Sequence, residues 1–474
     1  MHRLPTAAAI LTTALLALAC GSVASFPLTS PPIATQPPPT SGPPELPTAT
    51  ATPAGLALLG PYVLFAGQNT GVWIANPDGS FPTQISEEWL FGFDLQHALS
   101  PQGDRLALVT QNEAGFDLVE ITLPDGARRS LAHLIDITPD DLVLHPTSGA
   151  SIAAMMISQH DTVAWQPPVG RWVAFAAATG GSTADVYVVD TTTGEVRQLT
   201  DGPSQAIFPT WSPDGRSIYH IGVSLVPPFG GAIVGYNRMD GSWAVRPSDG
   251  EVIPQPVLVH PSGFVGWMEA THYLMLDFAG DLSQVDVESG EARAVLRGFC
   301  PIADAVASGD GRAVLLSVLP ETNCPSGAGV YRWEPSGAGA PVLLDPERSW
   351  GLEWLETSGV FHVYPMALFS QDGSIRREPP LLDHSFHPAV SKHGYEAWEV
   401  IENTLGRVVV RADGGEWREI LQTDVAQLVW DPAAGETLLI AARDGTLYAA
   451  TAPDFTPRVM GSLGGSVDQA IWVP

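Results

Sequence analysis

Basic residues are scarce in this sequence. Its 474 residues include 22 Lys and Arg against 51 Asp and Glu, which gives a formal net charge of −29 at pH 7. A polyanion of this kind has no basic surface with which to neutralise phosphates, so we exclude nucleic acid as a partner. Charged residues make up only 15% of the chain and apolar residues 45%. That balance excludes a disordered protein held open by charge repulsion and leaves enough material for a large core.

The sequence motifs of common catalytic and cofactor sites are missing as well. The chain has no Gly-x-Ser-x-Gly elbow, no His-Glu-x-x-His pair and no Cys-x-x-Cys pair. It also lacks the glycine motifs that bind phosphates and dinucleotides. We therefore assign no catalytic residue and expect no cofactor.

Metal binding is considered at two places. The densest histidine group is Asp383, His384 and His387, with His393 beyond, and it offers transition-metal ligands in a loop. Loop histidines are more often simply polar, so we do not assign a metal there. Calcium on acidic turns such as Asp214 has no ligand pattern to support it, because turn aspartates usually cap local backbone.

The N-terminus carries an export signal. Residues 1–19 contain a single charge, Arg3, and an apolar run from Ala7 to Ala19 that is too short to span a membrane comfortably. The run ends in LALACG (16–21), which resembles the bacterial lipoprotein box, where a cysteine receives lipid. The resemblance implies a signal peptide over 1–19 and lipidation of Cys20. The alternative is an ordinary signal peptide followed by an incidental cysteine.

The next segment, 20–58, is rich in Pro, Ser, Thr and Ala and contains one charge, Glu45. Such a composition cannot bury a core and favours extended polyproline conformations. We expect it to be a semi-rigid tether between the lipid and a folded body.

From residue 59 onward a short pattern recurs. Its clearest copies are DVYVVDTTTGEVRQLTDG (185–202) and FPTWSPDGRSIYHIG (208–222). Each unit predicts a first strand ending in a large apolar residue, a tight turn in which Pro presets φ and Gly supplies positive φ, and three further strands separated by turns. Residues 136–160 are less regular and are interpreted as an insertion between two units.

The end of the first strand can be followed through the chain at intervals of about 47 residues. It falls at Leu99, Trp165, Trp211, Trp267, Ala307, Trp354, Val390, Trp430 and Trp472. Four strands per 40–50 residues are typical of a β-propeller blade, so we predict an all-β fold with a single propeller over 59–474. Six Trp at one repeat position favour packing between blades over a ligand-binding platform.

The segment Trp-Ser-Pro-Asp-Gly (211–215), together with Asp190 to Gly194, resembles the WD40-like (PD40) or TolB-type propeller repeat. The same repeat builds the propeller domains of some prolyl oligopeptidases, and the resemblance covers residues 60–474. It implies the non-catalytic half of those enzymes, because no hydrolase domain follows in this sequence.

The two ends of the repeat region complete one blade. The first unit lacks its own first strand, whereas the chain ends in a first strand, 468–474, without followers. We therefore predict that the C-terminal strand pairs with the first blade and leaves no open sheet edge. The count gives nine units, with those at Ala307 and 354–390 the weakest. Because propellers commonly have four to eight blades, we prefer eight and accept seven to nine.

With Cys20 assigned to lipid, Cys300 and Cys324 remain as an even pair in an exported protein, which indicates a disulfide. Two free buried thiols are the alternative.

These features favour a lipid-anchored β-propeller outside the cytoplasm, acting as a binding or scaffold module of the bacterial cell envelope. Its partner is expected to be a protein, peptide or glycan, and its only membrane contact the N-terminal lipid. One alternative is a propeller enzyme (lyase, lactonase or glycan hydrolase) with its site in the central funnel. A purely structural envelope component is the third possibility.

Overall fold

The structure is a computed structural model. It describes residues 60–473 except for 68–69, 78–79, 89–93, 145–147, 159–161, 181–182, 227–235, 257–262, 278, 320–323, 338, 348–350, 365–366, 383 and 413. The predicted signal peptide, Cys20 and the tether lie outside the described residues.

Nine antiparallel sheets follow one another along the chain, and each forms one blade of a propeller ring. Eight sheets have four strands and the second has three. Blades 1 to 3 contain β1 (Tyr62–Gly67), β2 (Gly71–Ala75), β3 (Thr83–Ser86), β4 (Arg105–Gln111), β5 (Gly115–Thr122), β6 (Arg128–Asp136), β7 (Val163–Trp165), β8 (Trp172–Ala177), β9 (Asp185–Asp190) and β10 (Val196–Gln198).

The middle of the chain forms the next three blades with the same up-and-down order. Blades 4 to 6 contain β11 (Gln205–Trp211), β12 (Ile218–Val226), β13 (Tyr236–Arg246), β14 (Glu251–Pro254), β15 (Phe264–Trp267), β16 (His272–Leu276), β17 (Leu282–Asp286), β18 (Ala292–Leu296), β19 (Ile302–Ala307), β20 (Val314–Val318), β21 (Gly329–Trp333) and β22 (Val342–Asp345).

The last part of the chain completes the ring. Blades 7 to 9 contain β23 (Gly351–Leu355), β24 (Val360–Tyr364), β25 (Ala367–Ser370), β26 (Arg376–Arg377), β27 (Ser385–Val390), β28 (Glu396–Glu402), β29 (Leu405–Arg411), β30 (Arg418–Gln422), β31 (Val425–Trp430), β32 (Thr437–Ala442), β33 (Thr446–Thr451) and β34 (Arg458–Ser462), and β35 (Gln469–Val473) returns to blade 1. The blade number of nine lies within the predicted range and is one more than the preferred eight.

The chain termini of the ring meet in one sheet, as predicted. β35 pairs antiparallel with β1, from Tyr62 opposite Val473 to Ala66 opposite Gln469. The order β3–β2–β1–β35 therefore makes blade 1 from both ends of the described chain. This closure confirms the prediction, and the two units that seemed weakest in sequence are complete four-stranded blades.

The first strand of each blade is its inner strand, and the predicted strand ends are close to those observed. The exception is blade 2, where a short helix, Leu95–Ala98, leads into an isolated bridge between Leu99 and Leu106. We call the face where the inner strands end the exit face and the opposite one the entry face. Because strands alternate in direction, turns between first and second strands and between third and fourth strands lie on the exit face.

The recurring Pro-Asp-Gly turn has a steric reason. Gly215 has φ +68°, and a Cβ there would lie 2.3 Å from the carbonyl oxygen of Pro167 in the neighbouring blade. Glycine therefore permits both the left-handed backbone and the close approach of two blades.

The predicted insertion between blades 2 and 3 contains two helices, Pro139–Leu144 and Gly149–Ile157. The side chain of Ser148 accepts a hydrogen bond from the Ser151 N–H and caps the second helix. That helix buries Met156 and Ile157 in the same apolar cluster as the facing strands of blades 2 to 4. In the part of the chain that the structure describes, no helix has the length and apolar character needed to cross a membrane.

The hydrophobic core lies between neighbouring blades. Val63 and Phe65 of blade 1 pack in one cluster with Val429 and Leu439 of blade 9. Facing apolar sheets of this kind hold each blade against the next around the ring.

Candidate functional site

Four tryptophans link the inner strands of adjacent blades. Trp165, Trp211, Trp430 and Trp472 are only 5–8% exposed. Their indole N–H groups donate to carbonyl oxygens of the preceding blade, at Ala98, Ala164, Ala389 and Val429 respectively. Ala98 ends the short helix of blade 2, and the other three acceptors lie in inner strands. Each acceptor is one residue before the strand-end position of its own blade. These four side chains therefore serve packing between blades.

The other two tryptophans of the repeat depart from this pattern. Trp267 Nε1 is buried and has no hydrogen-bond partner among the described residues. Trp354 Nε1 donates to Glu356 Oε2 of its own blade at 2.5 Å. The links between inner strands are thus weaker around blades 5 and 7.

A second polar link recurs three residues before the strand end, and we call this the cross-blade position. Gln427 Oε1 accepts a hydrogen bond from the Ala470 N–H at 2.6 Å, and Gln469 Oε1 accepts one from the Leu95 N–H at 2.8 Å. The side chains at this position therefore tie an inner strand to the backbone of the next blade.

Asp304 occupies the same position in blade 6 and makes the same kind of link. Its Oδ2 accepts from the Leu352 N–H at 3.1 Å, and its Oδ1 from the Ala305 N–H. Burial raises the pKa of the Asp304 carboxyl above its usual value, and the two N–H groups partly offset this effect. Because both carboxylate oxygens bond to backbone, we interpret Asp304 as structural.

Blade 8 has a histidine at the cross-blade position. His387 Nε2 lies 3.6 Å from Glu399 Oε2, and the His387 side chain is 34% exposed whereas Glu399 is buried. Glu399 Oε1 accepts from the Val425 N–H at 2.8 Å and so makes the link to blade 9. Arg443 of blade 9 and Glu353 of blade 7 are close enough to act on the pKa of His387. We call His387, Glu399, Glu353 and Arg443 the His387 cluster.

The pKa values of His387 and Glu399 are both shifted from their usual values. Burial and then the positive charge of Arg443 lower the pKa of His387 to about 4, although Glu353 acts in the opposite direction. Burial raises the pKa of Glu399, while the Val425 N–H lowers it. His387 is therefore a neutral imidazole at pH 7, next to a buried carboxyl group on the entry face. Such paired shifts are typical of acid–base sites, although ion-pair networks also produce them.

The histidines singled out from sequence do not come together. His384 is exposed just before β27, and His393 lies in the turn at the other end of that strand, 2.8 Å from the Ala434 carbonyl oxygen. Asp383 lies outside the described residues. Within the described ranges, no three His, Cys, Asp or Glu side chains form a group that could hold a metal ion.

The turn aspartates behave as backbone caps. Asp214 Oδ1 accepts from the Arg216 N–H at 3.1 Å and from Ser212 Oγ at 2.6 Å. Asp249 Oδ1 likewise accepts from the Glu251 N–H. These bonds use the aspartates in their own turns.

Cys300 and Cys324 form a disulfide. Cys300 lies between the last strand of blade 5 and β19, and Cys324 lies in the loop between β20 and β21 of blade 6. The bridge therefore joins the connection between blades 5 and 6 to a loop of blade 6, and the predicted pairing is present in the structure.

Sequence reasoning missed Glu399 and Arg443 as neighbours of His387. Glu399 is 12 residues from His387 on the adjacent strand, and Arg443 comes from the next blade. The sequence does contain one signal for this site. His387 lies three residues before the end of its inner strand, at the cross-blade position that Gln427 and Gln469 occupy in their own blades.

The fold and these contacts define a nine-bladed β-propeller whose two chain ends close one blade. No family model matches the chain. It is 26% identical over 193 residues to "Uncharacterized protein Atu1656" of Agrobacterium fabrum, an alignment that covers 40% of this chain and 61% of that protein. It is 46% identical over 54 residues to "Uncharacterized peptidase YuxL" of Bacillus subtilis, covering 11% of this chain and 8% of the relative. The chain thus spans less than two thirds of either relative.

Several solved propeller structures are similar at low identity. Dipeptidyl peptidase 4 of Porphyromonas gingivalis has a TM-score of 0.45 at 11% identity, and the alignment covers 77% of this chain and 59% of the peptidase chain. TolB of Acinetobacter baumannii has a TM-score of 0.28 at 13% identity, with coverages of 78% and 82%. An oligogalacturonate lyase in complex with manganese has a TM-score of 0.33 at 10% identity, with coverages of 84% and 83%. The fold of this chain therefore rests on its own strand pairing, and its function on its own residues.

Proposed function

We propose that the chain is a lipid-anchored β-propeller outside the cytoplasm and acts as a binding or scaffold module of the bacterial cell envelope. Lipid on Cys20 would hold it at the membrane, residues 20–58 would extend it outward, and the ring would present its faces to a protein, peptide or glycan. The observation that carries this proposal is the set of hydrogen bonds between inner strands. They make the ring a rigid frame, and a rigid frame suits binding because it lowers the entropy lost on association.

The disulfide supports the proposed location outside the cytoplasm. Disulfides persist in oxidising compartments and are rare in a reducing cytosol. A bridge between Cys300 and Cys324 therefore agrees with export of the chain.

The experiment that tests this function is affinity purification of the full chain from crosslinked envelopes. We expect the wild-type chain in the membrane fraction with a specific envelope partner. The Cys20→Ala variant should lose the membrane association while keeping a folded ring. A wild-type chain recovered in the cytoplasm, or without an enriched partner, would contradict the proposal.

The His387 cluster supports a second candidate function, an enzyme of the lyase, lactonase or glycan hydrolase kind. The imidazole of His387 is neutral at pH 7 and could accept a proton next to the buried carboxyl group, although its lowered pKa makes it a weak base, and Arg443 could hold an anionic substrate group. If the full chain turns over such a substrate, His387→Gln should reduce kcat by about 100-fold or more. His384→Gln, an exposed histidine three residues away, is the matched control. Equal activity of the two variants rules out this candidate.

A further inference from the structure

A cavity of about 450 Å³ opens between blades 3 and 4 on the exit face. It is remote from the His387 cluster, which lies on the entry face of blades 7 to 9. Its lining includes Gln166, Trp172, Arg197, Trp211, Arg216 and Arg246. The strands position these residues, since Trp172 begins β8, Trp211 ends β11 and Arg246 ends β13.

The lining is cationic in a chain that is otherwise strongly acidic. Three of its 22 Lys and Arg residues line this one cavity, and the net charge of the chain is −29. None of the described residues that line it is Asp or Glu. Asp214, Asp249 and Glu251 lie beside Arg216 and Arg246 and balance part of this charge, so the attraction for an anion comes mainly from Arg197.

The three arginines differ in how firmly they are held. Asp249 and Glu251 hold Arg246 Nη1 at 3.2 and 2.5 Å. Arg216 is 75% exposed at its side chain, and its Nε is 3.8 Å from Asp214 Oδ2, so it can turn towards a ligand.

Arg197 lines the cavity, and not all of its N–H groups are hydrogen-bonded. Its Nη2 donates to the Pro247 carbonyl oxygen, whereas its Nε is buried without a hydrogen-bond partner among the described residues. A buried donor without a partner is costly, so a movement of the Arg197 side chain that brings this N–H to a carboxylate oxygen would be favourable. The planar fork of a guanidinium matches a carboxylate in two parallel hydrogen bonds.

The indole ring of Trp172 lies next to the Arg197 guanidinium. The Arg197 guanidinium lies 5.4 Å from the centre of the Trp172 ring, and that of Arg171 lies 5.7 Å from it. A partly exposed indole next to a guanidinium gives a flat apolar surface beside a positive charge. A ligand that fits both the guanidinium and the indole has a carboxylate attached to a flat apolar group.

We infer that this cavity is a binding site for an organic carboxylate, with Arg197 and Arg216 binding the carboxylate and Trp172 the apolar body. The inference deepens the binding role proposed above by naming a ligand class. It does not depend on the membrane address or on an envelope partner.

Isothermal titration calorimetry on the full chain tests the ligand class. The probes are N-acetyl-L-phenylalanine and its amide, which differ only in the carboxylate. We expect the acid to bind at least about tenfold more tightly than the amide, because the charge-assisted hydrogen bonds are lost in the amide. Equal binding of the two, or no binding of either, would overturn the inference.

Substitutions test the assigned residues. Arg197→Gln and Arg216→Gln should each weaken binding of the acid by about tenfold. Arg312→Gln is a matched control, because Arg312 follows the Asp-Gly turn of blade 6 as Arg216 follows that of blade 4. The Arg216 variant keeps the test decisive if the Arg197 variant does not fold, since the Arg216 side chain is mostly exposed. Unchanged binding in the Arg216 variant, or equal weakening in the Arg312 variant, contradicts the assignment. The calorimetry can fail while the envelope purification succeeds, and the reverse also holds.

Discussion

At the scale of single residues, the tryptophans of the repeat have two roles at once. The ring of Trp430 fills the space between blades 8 and 9, and its N–H donates to the Ala389 carbonyl oxygen at 3.2 Å. A phenylalanine would keep most of the apolar surface but leave that carbonyl without its donor. The polar end of the indole therefore adds a specific link to a nonspecific packing contact.

We predict that Trp430→Phe lowers the free energy of unfolding by about 1–3 kcal/mol, from the lost hydrogen bond and a small cavity. Trp354→Phe is the control, because the Trp354 N–H reaches Glu356 of its own blade and its loss leaves no link between blades broken. Urea unfolding measures both variants. Equal destabilisation would show that the link between blades adds nothing.

A buried histidine gives the molecule an acid sensitivity. His220 is 3% exposed and stacks on Trp243 at 5.8 Å. Burial lowers its pKa from 6.5 to about 4, and His387 is shifted in the same direction. The unfolded chain therefore binds more protons than the folded chain between these two values.

Stability should consequently fall as the pH drops from about 6.5 to about 4. The His220 contribution reaches about 3 kcal/mol at most. We predict that His220→Phe, which keeps a ring and cannot be protonated, flattens this part of the stability profile, whereas His393→Gln in an exposed turn does not. Denaturant unfolding between pH 4 and pH 8 measures the effect. A His220→Phe profile as steep as that of the wild type would refute it.

At the scale of elements, the sequence was most informative where a turn or strand end has a chemical signature. The Pro-Asp-Gly turn after Trp211 predicted both the turn and the end of β11, because Gly215 must adopt positive φ. The inner strand of blade 2 was less predictable. A four-residue helix, Leu95–Ala98, precedes Leu99 there, and four residues are too few to show a helical hydrophobic period.

The functional contacts were harder to predict than the strands. His387, Glu399 and Arg443 come from two strands and a turn of two blades, and only the packing of these blades brings them together. The same is true of Arg197 and Arg216 on the exit face. Their residue types are visible in sequence, but their convergence depends on the angle between neighbouring blades.

The disulfide joins the connection before β19 to the loop between β20 and β21, across 24 residues of sequence. We predict that replacing Cys300 and Cys324 together by serine lowers the free energy of unfolding by about 3.5 kcal/mol in the chain-entropy model. Alkylation without reduction, followed by mass spectrometry, checks the pairing in the wild-type chain. Two labelled cysteines would contradict it.

At the scale of the whole molecule, closure explains how one propeller uses more than 400 residues without an exposed seam. The pairing of β35 with β1 covers the edge of β1 that would otherwise be open, and Trp472 adds its hydrogen bond to the Val429 carbonyl oxygen of blade 9. The sequence predicted this closure from an incomplete first unit and an unpaired last strand. It also gave nine units, and only the general preference of propellers for fewer blades favoured eight.

Acidic residues concentrate on turns and strand ends, as Asp214, Asp249 and Asp372 illustrate. Hydrogen bonds from Ser370 and from the Ser374 N–H lower the pKa of Asp372 to about 2. Such turn carboxylates contribute to the net charge of −29 while they stabilise local backbone. The charge therefore restricts partners by sign, and the arginines of the exit-face cavity are a local exception.

The nine blades form one closed, rigid ring, and differential scanning calorimetry of a truncated chain is the sharpest test of this closure. Deleting 467–474 removes β35 and opens blade 1, and deleting eight residues of the predicted tether, 37–44, is the control of equal length. We expect one cooperative transition for the full chain and for the control, and a broad transition at much lower temperature for the truncated chain. A truncated chain that melts at the same temperature and with the same cooperativity as the full chain would contradict closure.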